Sequence, residues 1–243
     1  MKTWQGKTYW LIGASEGLGA ALAHQLSRVG TRVILSARNE ETLNALADDL
    51  PGPARVLPLD VTDREAVHAA AEEAGEVDGV VYLAGAYWPF GAEGWDAEQA
   101  ETMADVNFGG AMRVVGAVLP RMQERGRGHL VLTGSLTAYG GLPGAAPYTA
   151  TKAGIMALAE SLRCDLQDSG IEVQLLNPGF IRTRLTEKND FRMPGIMEPE
   201  KAARICFEHM NSHAFSRAFP TWFSLIFRGA RYLPNWLYFR LFS

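Results

Sequence analysis

Short apolar runs alternate with longer amphipathic ones along most of this chain, and that alternation restricts it to βαβ units building a parallel sheet. Strands are expected over residues 8–12, 32–37, 55–59, 79–83, 129–133 and 172–176. Between them, helices are expected over 18–29, 40–50, 64–74, 97–106, 108–125 and 148–168, with a further one over 200–210. Pro51-Gly52-Pro53 stops the second helix, and Pro120 marks a kink site in the fifth. No repeat, low-complexity tract or linker interrupts the pattern. The expected fold is therefore α/β, a single-domain doubly wound parallel sheet.

Composition closes off several other classes. At 243 residues and 47% hydrophobic, the chain is long enough to enclose one substantial core. A net charge of −4 without a basic run offers no footprint for nucleic acid. Cys164 and Cys206 lack CxxC spacing, so they are expected to be reduced, and no metal site is read from the sequence. The opening MKTWQGKTYWLIGAS runs directly into a strand without the apolar core of a signal peptide, and no stretch of ~18 apolar residues could span a membrane. A cytoplasmic location is the expectation.

Gly13-Ala14-Ser15-Glu16-Gly17-Leu18-Gly19 lies where a strand turns into a helix. Glycines let the chain turn tightly and let a ligand approach the backbone, while the helix N-terminus directs N–H groups at a pyrophosphate. The second strand ends Ser36-Ala37-Arg38, without the acidic residue that would bond the ribose 2′-hydroxyl of NAD. A guanidinium at Arg38 suits a 2′-phosphate instead, so NADP is expected ahead of NAD, although Glu16 would oppose it if it lay close.

Tyr148 and Lys152 stand four residues apart, which places phenol and ammonium on one helix face. A free phenol has a pKa of roughly 10, and an adjacent Lys⁺ is expected to draw it toward neutrality. Ser135 supplies a hydroxyl to hold a substrate oxygen within reach of that phenol. The set is suited to moving a proton on or off an alcohol oxygen.

Taken in order, these motifs resemble the short-chain dehydrogenase/reductase family over about residues 7–183. Gly13, Gly17 and Gly19 match the family's TGxxxGxG turn, with Ile12 in place of the threonine. Asp60, followed by Val61, matches the acidic position that contacts adenine. Ala84-Gly85 matches the end of the NNAG motif, with Tyr82 and Leu83 at the asparagine positions. Asn107 matches the helix asparagine that supports a water and the lysine. Ser135, Tyr148 and Lys152 match the catalytic serine and YxxxK pair, and Pro178-Gly179 with Thr183 matches PGxxxT.

The resemblance implies a Rossmann-type dinucleotide-binding catalytic domain over 1–214. It implies cofactor contacts from Gly13, Ser15, Gly17, Leu18, Gly19, Arg38, Asp60, Val61, Ala84, Gly85, Lys152, Pro178, Gly179, Ile181 and Thr183. It implies that Ser135 orients the oxygen, Tyr148 acts as acid/base, Lys152 tunes the tyrosine and bonds the nicotinamide ribose, and Asn107 completes a proton relay. The implied function is an NADP(H)-dependent oxidoreductase interconverting an alcohol and a ketone or aldehyde, as a homo-oligomer joined through the helices at 108–125 and 148–168.

Candidate substrate-lining residues (Tyr87, Trp88, Leu136, Thr137, Ala138, Tyr139, Leu142, Phe180 and the loop to Met197) are largely apolar, which favours a small hydrophobic carbonyl or alcohol. The alternative is a non-catalytic nucleotide sensor or scaffold on the same fold, which would be expected to have lost part of the Ser135–Tyr148–Lys152 set. An epimerase or a methyltransferase explains fewer of the motifs. Residues 215–243 read as an aromatic, basic, amphipathic C-terminal tail without an acidic residue. It is expected to pack over the substrate cleft or a partner subunit, or else to lie as an interfacial helix on an anionic membrane.

Overall fold

The computed structural model describes residues 2–242. Among them, seven parallel strands form one sheet in the order β3-β2-β1-β4-β5-β6-β7. The strands are β1 (Thr8–Ile12), β2 (Arg32–Ser36), β3 (Ala54–Val56), β4 (Gly79–Tyr82), β5 (Gly128–Thr133), β6 (Ile171–Pro178) and β7 (Ser216–Phe219). The intervening helices are α1 (Gly17–Arg28), α2 (Glu40–Asp49), α3 (Arg64–Ala74), α4 (Ala97–Ala104), α5 (Gly110–Arg125), α6 (Ala146–Asp165) and α7 (Pro199–Met210), followed by α8 (Thr221–Ala230) and α9 (Asn235–Phe242).

Alternate residues of each strand face opposite sides, and both sides are apolar, so the sheet needs two helical layers. Trp10 and Ile12 of β1 and Leu130 and Leu132 of β5 point into the core shared with α3, α5 and α6. Tyr9 and Leu11 of β1 and Val131 of β5 point into the core shared with α1, α2 and α7. The order reverses at β1, which pairs with β2 on one side and β4 on the other. That switch point is where open α/β sheets leave a crevice at the strands' carboxyl ends.

Three elements depart from expectation. β3 ends at Val56 instead of running to residue 59, because Pro58 follows. The backbone still tracks β2, with Leu57 and Leu59 N–H donating to the carbonyls of Leu35 and Ala37 at 2.9 and 3.0 Å. Helices expected to break near Asn107 are instead joined by a π-helical turn, Asp105–Gly109. Tyr82 donates to the Val106 carbonyl in that turn at 2.5 Å, which gives the tyrosine at this motif position a structural purpose. Finally, β7 was not foreseen. The first residues of the expected tail pair with β6 along Leu175–Pro178 and extend the same sheet.

Candidate active site

A cleft of about 970 Å³ opens at the switch point, between the ends of β1, β2 and β4. Gly13 leaves β1 at φ 91°, and a Cβ there would lie 2.5 Å from the Ala84 nitrogen. At Gly19 a Cβ would meet the Gly13 carbonyl oxygen at 2.1 Å, and at Gly17 (φ 56°) it would meet Thr183 Cγ2 at 2.7 Å. The turn is thus packed against β4, against itself and against the loop after β6, and only glycine fits. Glu16, at the N-cap of α1, makes no side-chain capping bond, so the first-turn N–H groups of Gly17, Leu18 and Gly19 remain available along the cleft wall. A glycine cradle at a helix N-terminus, inside a cleft of this size, fits a dinucleotide pyrophosphate.

Ser15, Arg38, Asp60, Val61, Ala84, Gly85 and Thr183 line the same cleft. Arg38 is exposed at the end of β2 and has no carboxylate within ion-pair distance among the described residues. Asn39 beside it is committed to capping α2 through the Thr42 N–H at 3.0 Å. Burial alone would raise the Asp60 carboxyl. Hydrogen bonds from Thr62, backed by the charges of Arg38 and Arg113, outweigh it and hold Asp60 below the usual carboxylate range. Glu16 is held by Arg184 at 2.7 Å, which offsets its charge at the cleft mouth.

Pro178 ends β6, and Gly179 and Ile181 follow it in the next loop. Gly179 N–H donates to the Phe219 carbonyl of β7 at 2.7 Å, and buried Ile181 bridges to Met197. Trp88, expected among the substrate-lining residues, and Leu185 and Lys188 of the loop to Met197 also line the cleft, together with Thr102, which was not foreseen. Lys188 stacks its ammonium 4.2 Å from the Trp88 ring centre and donates to the Tyr87 carbonyl at 2.7 Å. Tyr87 donates to Asn189 at 2.9 Å, so the loop after β4 and the loop after β6 are tied together over the cleft.

Ser135, Tyr148 and Lys152 come together at the end of β5. Ser135 starts a short 3-10 turn, Leu136–Tyr139, and its oxygen accepts the Thr137 N–H at 3.2 Å. Tyr148 lies in the first turn of α6, edge-on to Tyr87 with ring centres 5.0 Å apart. Lys152 is buried one turn further on and donates to the Thr133 carbonyl at 3.0 Å. Its ammonium is 5.7 Å from the Tyr148 ring centre.

The expected lowering of the tyrosine is not what this arrangement produces. Desolvation pushes the Tyr148 phenol up to about 12, and the Ser135 hydroxyl offsets only part of that. Desolvation also brings Lys152 down to about 8. Near neutral pH the phenol is therefore protonated, poised as a donor.

Asn107, in the π-helical turn, is fully buried. Its amide donates to the Ala86 carbonyl at 3.0 Å and the Thr151 hydroxyl at 3.1 Å, and its oxygen accepts the Ala86 N–H at 2.6 Å. It clamps the loop after β4 onto α6, one residue from Lys152. Among the candidate substrate-lining residues, Leu136 and Ala138 are buried, whereas Tyr87 and Trp88 are partly open.

The family model for short chain dehydrogenases matches residues 7–193. An oxidoreductase of Myxococcus xanthus (strain DK1622) is 37% identical over 239 residues, covering 96% of this chain and 94% of that protein. A short-chain dehydrogenase from Sphingobium yanoikuyae, solved in complex with NADPH, superposes with a TM-score of 0.82 at 28% identity and 93% coverage of both chains. A Burkholderia phymatum family structure in complex with NAD shares the fold, with a TM-score of 0.87 at 22% identity over 94% of each chain. Sheet, cleft and relatives together define an NAD(P)-dependent dehydrogenase or reductase. The chain belongs to the short-chain dehydrogenase/reductase family.

Proposed function

We propose that the protein is an NADP(H)-dependent reductase of hydrophobic ketones or aldehydes, running as an alcohol dehydrogenase in reverse. The observation that carries this reading is the convergence of Ser135, protonated Tyr148 and buried Lys152 at the end of β5, beside the switch-point cleft. The nicotinamide supplies the hydride. Ser135 donates its hydroxyl hydrogen to the substrate oxygen, and Tyr148 delivers the proton to that oxygen as negative charge develops on it. Lys152 holds positive charge beside the phenolate that results, and Asn107 keeps the Ala86 loop and α6 in register.

Support for NADP over NAD comes from Arg38, exposed at the end of β2 with no carboxylate within ion-pair distance among the described residues, and from the ion pair that Glu16 makes with Arg184. The NADPH complex of the Sphingobium dehydrogenase is consistent with this choice. The aromatic surfaces of Tyr87, Trp88 and Phe180 favour an apolar substrate over a sugar or a charged acid.

The test is a panel of aliphatic and aromatic carbonyls followed by loss of reduced-nicotinamide absorbance, with NADPH and NADH in parallel. Tyr148→Phe keeps the ring's packing against Tyr87 and removes the proton. It is expected to lower kcat by ~10²–10⁴-fold while the cofactor still binds. Retention of more than about a tenth of the wild-type rate would remove Tyr148 from the acid/base role. No turnover with any carbonyl, alongside tight nucleotide binding, would favour a nucleotide sensor on the same fold.

A further inference from the structure

The last two helices carry apolar side chains on both faces, which a helix on the surface of a water-soluble protein does not need. The inward face of α8 is Phe223, Phe227 and Ala230. Phe223 packs 6.1 Å from Phe180, at the root of the loop over the cleft, and 4.9 Å from Phe227. The outward face is Trp222, Leu225 and Ile226 at i, i+3 and i+4, exposed by 56%, 60% and 50%. Tyr232 follows at 87%, then Trp236 and Phe239 on α9. Most of the exposed large hydrophobic side chains among the described residues fall in this one segment. Arg228, Arg231 and Arg240 are exposed among them, and residues 215–243 contain no Asp or Glu, on a chain whose net charge is −4.

We infer that α8 and α9 form a monotopic docking face for an anionic phospholipid membrane, and that the substrate is an apolar carbonyl compound taken from that bilayer. Tryptophan, tyrosine and phenylalanine interleaved with arginine match the boundary between acyl chains and charged headgroups. Neither helix is long and apolar enough to cross a bilayer, so the face lies on the membrane and does not span it. A second copy of the chain fits this face less well. A two-fold contact through it would set the arginines of one copy against those of the other, with no carboxylate in the segment to pair them.

The two helices also touch segments that neighbour the catalytic residues. Tyr238 of α9 donates to the Gly141 carbonyl at 2.5 Å, just beyond the turn that Ser135 begins. Trp222 lies against Gly195 of the loop after β6, where an added Cβ would be 3.0 Å from its ring. A membrane seated on α8 and α9 therefore meets the segments that border Ser135 and Tyr148. The substrate half of the inference rests on the carbonyl-reductase reading above; the docking half does not.

The experiment is flotation of the full chain with vesicles of phosphatidylcholine alone and of phosphatidylcholine with phosphatidylglycerol. Binding is expected to the anionic vesicles, weakened by salt. Arg228→Gln with Arg231→Gln should weaken it by roughly fivefold per arginine. Leu225→Ser, Ile226→Ser and Trp236→Ser together should leave the protein in solution, while reduction of a short water-soluble carbonyl is unchanged. Reduction of a long-chain carbonyl dissolved in the vesicles should fall in step with flotation. Wild-type protein that stays in solution with both vesicle types overturns the docking face, as does a triple variant that floats like the wild type. Self-association that the triple variant abolishes, without wild-type flotation, assigns the face to a second copy and overturns the inference. Flotation with no carbonyl reduced would remove the reductase reading, and with it the substrate half, and leave the docking face standing.

Discussion

Replacing Lys152 by methionine is expected to stabilise the protein while abolishing turnover. The side chain is 4% exposed and has one hydrogen-bond partner, the Thr133 carbonyl. Burial lowers its pKa from 10.5 to about 8. At ~1.4 kcal/mol per pKa unit, keeping it charged at pH 7 costs the folded state about 3 kcal/mol. Methionine matches the length of the stem and carries no charge to desolvate. Loss of the hydrogen bond to Thr133 returns about 1 kcal/mol of that. The net gain is about 2 kcal/mol, or roughly 4–8 °C in Tm for a chain of this size.

The pH dependence gives the sharper test. The folded pKa lies below the unfolded one, so between about 8 and 10.5 the unfolded chain holds a proton that the folded chain has released. Wild-type stability should rise with pH through that window relative to the methionine variant, and the gap between the two should close. Below it both states are protonated and the gap is constant. Calorimetric or urea unfolding of both proteins at pH 7 and near the top of the window measures this directly. A variant less stable than wild type at pH 7, or a gap indifferent to pH, would refute the reasoning.

Other outcomes follow from the same geometry. Arg38→Ala should weaken NADP(H) binding far more than NAD(H) binding in a fluorescence titration, and equal wild-type affinities for the two would contradict the role given to Arg38. Gly13→Ala forces a Cβ to 2.5 Å from the Ala84 backbone at φ 91°, and should cost roughly 2–6 kcal/mol in urea unfolding, from strain and overpacking together. An alanine variant as stable as wild type would mean that the turn can move off β4. Sedimentation should show a homo-oligomer joined through α5 and α6. Val114, Val118 and Ile155 are buried within one chain, so the contact must use outward residues such as Met112 and Gly116; a concentration-independent monomer would exclude it.

Most of the sheet was legible because its interior strands are apolar on both faces, as Trp10-Leu11-Ile12 illustrates, and such runs have few other folds open to them. β7 was not, because Ser-Arg-Ala-Phe is an edge strand whose exposed residues carry no apolar signal. It becomes a strand through pairing with β6. The π-helical turn was hidden for a related reason. Two helices were expected to meet with a gap at Asn107, yet the chain only widens there, where Tyr82 reaches the Val106 carbonyl and a Cβ on Gly110 would lie 2.4 Å from the Tyr82 oxygen.

The candidate site divides along the same line. Tyr148 and Lys152 share a helix face because of a local spacing, and Gly13, Gly17 and Gly19 share a turn for the same reason. Spacing also suggested that the lysine governs the tyrosine. But the titration of both groups follows from their surroundings in the fold, Lys152 buried and Tyr148 half-buried, and desolvation there raises the phenol where spacing alone suggested a lowering. The bonds of Lys188 and Asn189 to Tyr87 were missed, although their loop was expected to line the site, because they join loop to loop across a hundred residues of chain with no periodic pattern to mark them. Those same ties make the loop after β6 a closing element over the cleft, whose other neighbour is the face of α8. Chemistry that depends on neighbours in sequence was therefore readable. Access to that chemistry is set by segments that meet only on folding, and it is there that substrate choice has to be sought.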